Sequence, residues 1–284
     1  MKKHILFALL PLTFAACEDV QEGSSIGGDA VPSVVIYQYS AEKTSGYDPD
    51  CTAKIRLAVN SATESLYLLT ESAADYANYY SGDDEAYAEH VVEAGEKITP
   101  SDLVADSYIQ VYGQNYITAV AVKGSEKSIS ATIPFYGIKW NNVEGTENYV
   151  YTDFRGGVCQ PVLQQRDDLP TAYRLKGIAL DDFLTGDTPY TMLFNVLTDD
   201  DGNEIGGSDY RFVTVAAQNT GYTYLDYGDV SIRDIATYTG NPAYSTTSNG
   251  CIMTGDNQVE LVLNYYVSAG NIKQIAEDYF GPAE

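Results

Sequence analysis

Between residues 258 and 267 every second side chain is apolar: Val259, Leu261, Leu263, Tyr265 and Val267. A period of two puts all five on one face of a strand, and a helix would scatter them. The same alternation recurs at 51–59, where Ile55, Leu57 and Val59 oppose Lys54, Arg56 and Ala58. It recurs again at 116–122 and at 128–133, where Ile129, Ala131 and Ile133 align, with Lys123-Gly124-Ser125 as the turn between. Short apolar runs at 34–37 and 66–69 fit between these. Such runs, separated by turn residues, predict a mainly β chain built as antiparallel sandwiches. Tyrosine use agrees: 25 of 284 residues are Tyr and one is Trp. Tyr suits strands, where its ring packs and its hydroxyl stays wet.

Two stretches break the pattern. Residues 71–80 and 83–92 are rich in Ala, Glu and Tyr without β-branched runs, which predicts a short helical insertion capped by Thr70 or Asp83. Val91, Glu93, Gly95 and Ile98 then read as the chain re-entering a sheet. In the second half, 191–197 pairs with 210–216 across a turn at 198–204. Tyr222, Tyr224 and Asp226 read as one face of a short strand, 228–232 as another, and 271–280 as a closing helix. The length favours two folded units, placed at 31–137 and 138–284.

The first sixteen residues read as a secretory signal: Lys2 and Lys3, an apolar run at 5–16 broken by Pro11 and Thr13, then Ala15-Ala16 before Cys17. The run is shorter than the roughly 20 residues that span a bilayer. Residues 17–30, with Glu18, Asp19, Glu22 and the Gly/Ser stretch 23–28, read as a flexible tether.

Four resemblances attach to these motifs. Phe14-Ala15-Ala16-Cys17 resembles the lipobox of bacterial lipoproteins, which implies that Cys17 carries the lipid anchor. Acidic residues directly after the cysteine resemble the export signal of Bacteroidota lipoproteins, which implies an outer-membrane, surface-exposed location. The strand order of 31–137, and above all the pair 116–122 and 128–133, resembles a fibronectin type III or immunoglobulin-like sandwich. Trp140-Asn-Asn-Val-Glu-Gly145, Tyr149-Val-Tyr-Thr-Asp-Phe154 and Tyr173-Arg174-Leu175 resemble the all-β C-terminal domain of uncharacterised Bacteroidota lipoproteins over about half the chain. The match departs at Lys176-Gly177-Ile178. These resemblances imply an address and a fold rather than an activity.

The formal charge is −24, and removing 1–16, which holds two lysines and no carboxylate, makes it more negative by two. Nucleic acid is excluded as a partner, because phosphate binding needs clustered Lys and Arg. With His4 in the signal, His90 stands alone and reads as a surface residue on a helix. Zinc and Ser-His-Asp chemistry therefore lack ligands and base. Cys51, Cys159 and Cys251 are an odd number, so at most one pair forms. Forty Asp and Glu leave a paired-carboxylate glycosidase as the enzymatic option, with Asp153, Asp167, Asp168, Asp181, Asp182 and Asp226 as candidates. Asp199, Asp200 and Asp201 are weak calcium candidates, since an Asp-Gly hairpin turn accounts for them. Sugar rings stack on exposed aromatics, so Tyr222, Tyr224, Tyr227, Tyr238 and Tyr244, with loop signals at Asn241-Pro242 and Asn249-Gly250, form a candidate ligand face. The expectation is a non-catalytic, lipid-anchored envelope protein without cofactor that binds glycan or an exported protein. Its alternatives are an assembly component of an envelope complex and, last, a carboxylate-pair enzyme.

Overall fold

A computed structural model describes residues 31–42, 45–152, 158–180, 184, 186, 189–248 and 250–282. Cys17, the signal segment 1–16 and the tether 17–30 lie outside the described residues, as do Asp153, Asp181, Asp182 and Asn249. The protein is mainly β, with antiparallel sheets throughout. It divides between Gly137 and Ile138 into two compact units.

The first unit begins with β1 (Val34–Ser40), β2 (Thr52–Val59) and β3 (Ser65–Ser72). Two helices follow, α1 (Ala73–Tyr79) and α2 (Asp84–Ala94). The chain then returns through β4 (Glu96–Ile98), β5 (Val104–Gln110), β6 (Gly113–Lys123), β7 (Glu126–Lys127) and β8 (Ala131–Gly137). One sheet runs β1-β2-β5; the other runs β4-β3-β6-β7, with β8 also on β6. Ala53, Ile55 and Leu57 of β2 and Leu66, Ile117, Ala119 and Ala121 of β3 and β6 form a single apolar cluster. The two sheets therefore share one core, as the alternation requires.

Strand β6 is buried on both faces. Ile117, Ala119 and Ala121 point into that core, while Val120 and Val122 meet Tyr87, Ala88 and Val91 of α2. The helical insertion thus covers the back of the β3–β6 sheet. Asp83 caps α2, its carboxylate accepting from Glu85 N (3.0 Å) and Ala86 N (3.1 Å). Ser72 caps α1 in place of Thr70, accepting from Asp75 N. Val91 and Glu93 belong to α2, so the chain re-enters the sheet only at Glu96. The turn before β7 places Gly124 at φ +58°, a left-handed conformation that glycine adopts without steric cost. Strand β5 went unread because Asp106 sits mid-strand. Arg56 on the neighbouring strand holds it with a two-pronged pair, 2.7 and 2.9 Å.

The second unit contains β9 (Trp140–Asn142), β10 (Tyr149–Thr152), β11 (Val158–Cys159), β12 (Val162–Arg166), β13 (Ala172–Ile178) and β14 (Tyr190–Val196). After these come β15 (Tyr210–Thr214), β16 (Gln218–Thr223), β17 (Asp229–Asp234), helix α3 (Ile235–Thr239), β18 (Cys251–Thr254), β19 (Val259–Val267) and β20 (Gly270–Pro282). Among the described residues these twelve strands join one antiparallel sheet, ordered β11-β10-β20-β19-β18-β15-β14-β13-β12-β9, with β17 branching from β19 and β16 pairing with β17. Leu163 of β12 and Phe280 of β20, from distant parts of this order, sit in one apolar cluster with Met192, Met253 and Leu261. One sheet curling on itself, rather than two separate sheets, encloses this core, as large twisted sheets do.

The closing helix expected at 271–280 is a strand. β20 pairs with β19 along its length, Leu261 opposite Asp278 and Val259 opposite Phe280. The hairpin β14–β15 forms as read, Val196 opposite Val213. Inside its loop, Thr198 bridges Glu204. No disulfide joins Cys51, Cys159 and Cys251.

Candidate functional site

The outer face of β15-β18-β19-β20 carries the site. Alternation buries Val259, Leu261 and Leu263 of β19 and turns Glu260 and Val262 the other way. On β20 it buries Ala276, Asp278 and Phe280 and turns out Glu277 and Tyr279. The register lines these up across the strands: Tyr279 lies opposite Glu260, Glu260 opposite Ile252, and Ile252 opposite Phe212. This row, flanked by Tyr210, Val262 and Glu277, floors a cleft of about 750 Å³. Tyr210 is 40% exposed and Tyr279 37%. Tyr210 meets Phe212 edge to face, ring centres 5.3 Å apart. Tyr279 donates its hydroxyl to Gln258 Oε1 at 2.8 Å, which fixes its ring.

The rim is Thr246, Thr247, Ser248 and Gly250, and it is held from below by a chain of caps. Asp234 ends β17. Its Oδ2 accepts from Thr214 Oγ1 (2.6 Å) and Val215 N (2.8 Å), and its Oδ1 accepts from Thr237 N (2.6 Å), which starts α3. Gly240 stops α3 in the left-handed conformation, φ +68°. Asn241 then caps a 3₁₀ turn, Pro242–Thr246, through Ala243 N. Arg233 lies between the rings of Tyr238 and Tyr266, 4.9 and 4.2 Å from their centres, and tethers the same segment.

Beneath the cleft, Asp278 is buried. Its Oδ2 accepts from Tyr151 (2.9 Å) and Tyr265 (2.8 Å), whose hydroxyls lie 3.2 Å apart. Burial, with the Asp278 charge adding, pushes the Tyr151 hydroxyl well above the ordinary tyrosine range; Tyr265 moves the same way, chiefly by burial. Cys251, also under this face, is pushed up to about 12 by burial.

Within the cleft, the Tyr210 hydroxyl and the carboxylates of Glu260 and Glu277 make no hydrogen bond or ion pair among the described residues. The walls thus present apolar ring faces beside uncommitted donors and acceptors, the mixture that small-molecule sites use.

The tyrosines named from sequence do not gather here. Tyr222 is 6% exposed and packs in the core with Tyr190 and Val230, which corrects its reading as a ligand-facing ring. Strand β16 turns it inward. Tyr224 and Tyr227 stack on each other at 5.6 Å in the turn between β16 and β17, where residues 225–227 form a 3₁₀ turn rather than strand. Tyr238, in α3 beyond the far end of β17, accepts hydrogen bonds from Asn271 and Gln274. Tyr244 rides on the rim turn without lining the cleft. The five are therefore not one strip. Tyr210, Phe212, Glu260, Glu277 and Tyr279 were missed, although the alternation of 258–267 already turned Glu260 outward.

The carboxylate candidates that the structure describes are dispersed. Asp167 is held by Asn141 and Lys139, and Asp168 by Arg166; Asp226 lies in the 3₁₀ turn. Asp199 closes its turn, accepting from Asp201 N, Asn203 N and the Asn203 side chain, and these bonds hold its carboxyl below the usual range. Among the described residues no cluster of three or more His, Cys, Asp or Glu is placed to hold a metal ion.

His90 is not an idle surface side chain. Its Nε2 lies 2.9 Å from Glu71 Oε1, its ring stacks on Tyr79 at 3.9 Å, and Glu71 also receives the Tyr87 hydroxyl. This cluster pins α2 to β3.

Comparison with protein-family models, curated proteins and solved structures finds no match to this chain.

Proposed function

We propose that this is a non-catalytic, lipid-anchored protein of the cell envelope, placed at the outer surface through Cys17, whose second unit binds glycan in the β15-β18-β19-β20 cleft. The observation that carries the binding reading is the row Tyr279–Glu260–Ile252–Phe212 with Tyr210 beside it. Aromatic faces take the apolar C–H side of a sugar ring, and carboxylates and hydroxyls take its hydroxyl groups. The anchor reading stands on the signal-like segment and the cysteine that follows it.

Glycan-array screening of the folded domain, followed by calorimetry on the best ligand, tests the binding. Tyr210→Ala and Tyr279→Ala each weaken binding about five- to tenfold, in line with stacking worth roughly 1–1.5 kcal/mol. Tyr227→Ala leaves it unchanged. Binding untouched by both cleft variants overturns the reading. Mass spectrometry of the native protein tests the anchor: a diacyl or triacyl mass on Cys17 is expected, and an unmodified thiol overturns it.

A hydrolytic second reading is favoured by one feature. Glu260 and Glu277 are diagonal neighbours on an antiparallel pair, their backbones about 7–8 Å apart, so both carboxylates rise from one face of the cleft, as a paired-carboxylate hydrolysis needs. Both side chains are exposed, whereas such pairs work where water is excluded. Bound oligosaccharide recovered intact after long incubation decides for binding, and shortened products decide for hydrolysis.

A further inference from the structure

We infer that the cleft selects for sugars bearing a protonated amine and against uronic or sulfated ones, an inference that rests on the glycan reading above. The cleft is walled by Tyr210, Phe212 and Tyr279 and carries Glu260 and Glu277, while no Lys, Arg or His lines it among the described residues. Among the described residues the two glutamates have no cationic partner to neutralise them. Elsewhere on the molecule exposed acids do find cations: Asp106 holds Arg56, Asp168 holds Arg166, and Glu204 holds Arg211. The cleft pair is thus left with its charge available.

A hexosamine amine meets this arrangement twice. Its ammonium group donates charge-assisted hydrogen bonds to a carboxylate, and it is attracted to the faces of tyrosine rings. Because Glu260 lies opposite Tyr279 and Glu277 lies two residues before it on the same face of β20, a sugar stacked on that ring brings a substituent on either side within reach of one of them. An anionic sugar meets only repulsion. The glutamates are exposed, so each contributes a factor of about two to five rather than orders of magnitude, and added salt weakens it.

Calorimetry on the full chain with three tetrasaccharides tests this: β-1,4-linked glucosamine, its fully N-acetylated form, and galacturonate. The expected order is glucosamine tightest, by about five- to tenfold over the N-acetylated form, with galacturonate weakest. In the double variant Glu260→Gln/Glu277→Gln, whose amides still hydrogen-bond sugar hydroxyls, the ratio of glucosamine to N-acetylated affinity falls to about one. That last readout separates the cleft from the general attraction of a protein with net charge −24, which the double variant leaves in place. A glucosamine preference that survives in the double variant overturns the inference. So does equal affinity for the charged and neutral tetramers, although the glycan reading then stands. If none of the three binds and the array is also silent, both fall together.

Discussion

Asp278 has a carboxylate inside an apolar core, held by two tyrosine hydroxyls. Such a group tolerates burial only while its donors remain. Replacing Tyr265 with Phe removes one donor at 2.8 Å and almost no volume, so the loss is electrostatic. A hydrogen bond to a charged acceptor is worth about 1.5–3 kcal/mol. Urea unfolding of Tyr265→Phe should show that loss as a lower midpoint with an unchanged slope, and Tyr151→Phe should behave alike. A midpoint equal to the parent would mean that Asp278 does not depend on these hydroxyls. This residue also explains the misread end of the chain. A strand that turns Asp inward between Ala276 and Phe280 breaks the apolar alternation, and Ile-Ala-Glu-Asp has ordinary helix formers. The compensating hydroxyls come from Tyr151 and Tyr265, the first more than a hundred residues away, and no local window contains them. The opposite failure befell Tyr222: a tyrosine between loop signals reads as exposed, but the strand parity of β16 buries it.

At the scale of elements, what was legible depended on whether one strand face or two are covered. β2 and β19 each bury one face cleanly, and their alternation identified them. β6 buries both, and its nearly continuous apolar run from Ile117 to Val122 announces a second layer, which α2 supplies. The helix itself was legible because its start signal is local: Asp83 accepts two amide protons of the first turn. Asp83→Ala removes that acceptor and is expected to cost about 1 kcal/mol, read as a lower thermal midpoint of the isolated first unit if it folds alone, or of the whole chain otherwise. Asp83→Asn, which keeps the acceptor, should restore most of it. An alanine variant as stable as the parent would show that α2 is held by Tyr87, Val91 and the Glu71–His90 contact without help from its cap. The candidate site was illegible for a related reason. A cleft on a sheet face is assembled across strands, Tyr210 to Tyr279, by register, and register between strands far apart in sequence is set by core packing. Local sequence shows that Glu260 points outward but not that Phe212 and Tyr279 share its row.

For the whole molecule, the protonation of buried groups sets a limit at high pH. Tyr151, Tyr265 and Cys251 all keep their protons in the folded state beyond their ordinary values of 10 and 9. A raised folded value means that the native state binds more protons than the unfolded chain once pH passes those ordinary values. The stability they contribute is therefore complete below about pH 9 and declines as pH rises from there, through about 12 for the thiol. The many carboxylates, with a net charge of −24, add self-repulsion that salt relieves, but that term is already present at neutral pH and does not create the alkaline limb. Following tyrosinate absorbance and near-ultraviolet circular dichroism together should reveal two stages. Rings that meet water ionise first with the dichroism unchanged, and Tyr151 and Tyr265 ionise in a second, cooperative step that coincides with its loss. Cys251→Ala should move that second step to higher pH relative to its own neutral-pH stability, because one of the groups that favours the unfolded state in alkali is gone. A single smooth ionisation of every tyrosine with the dichroism intact would mean that Tyr151 and Tyr265 meet water, and the buried carboxylate core of the second unit would have to be abandoned.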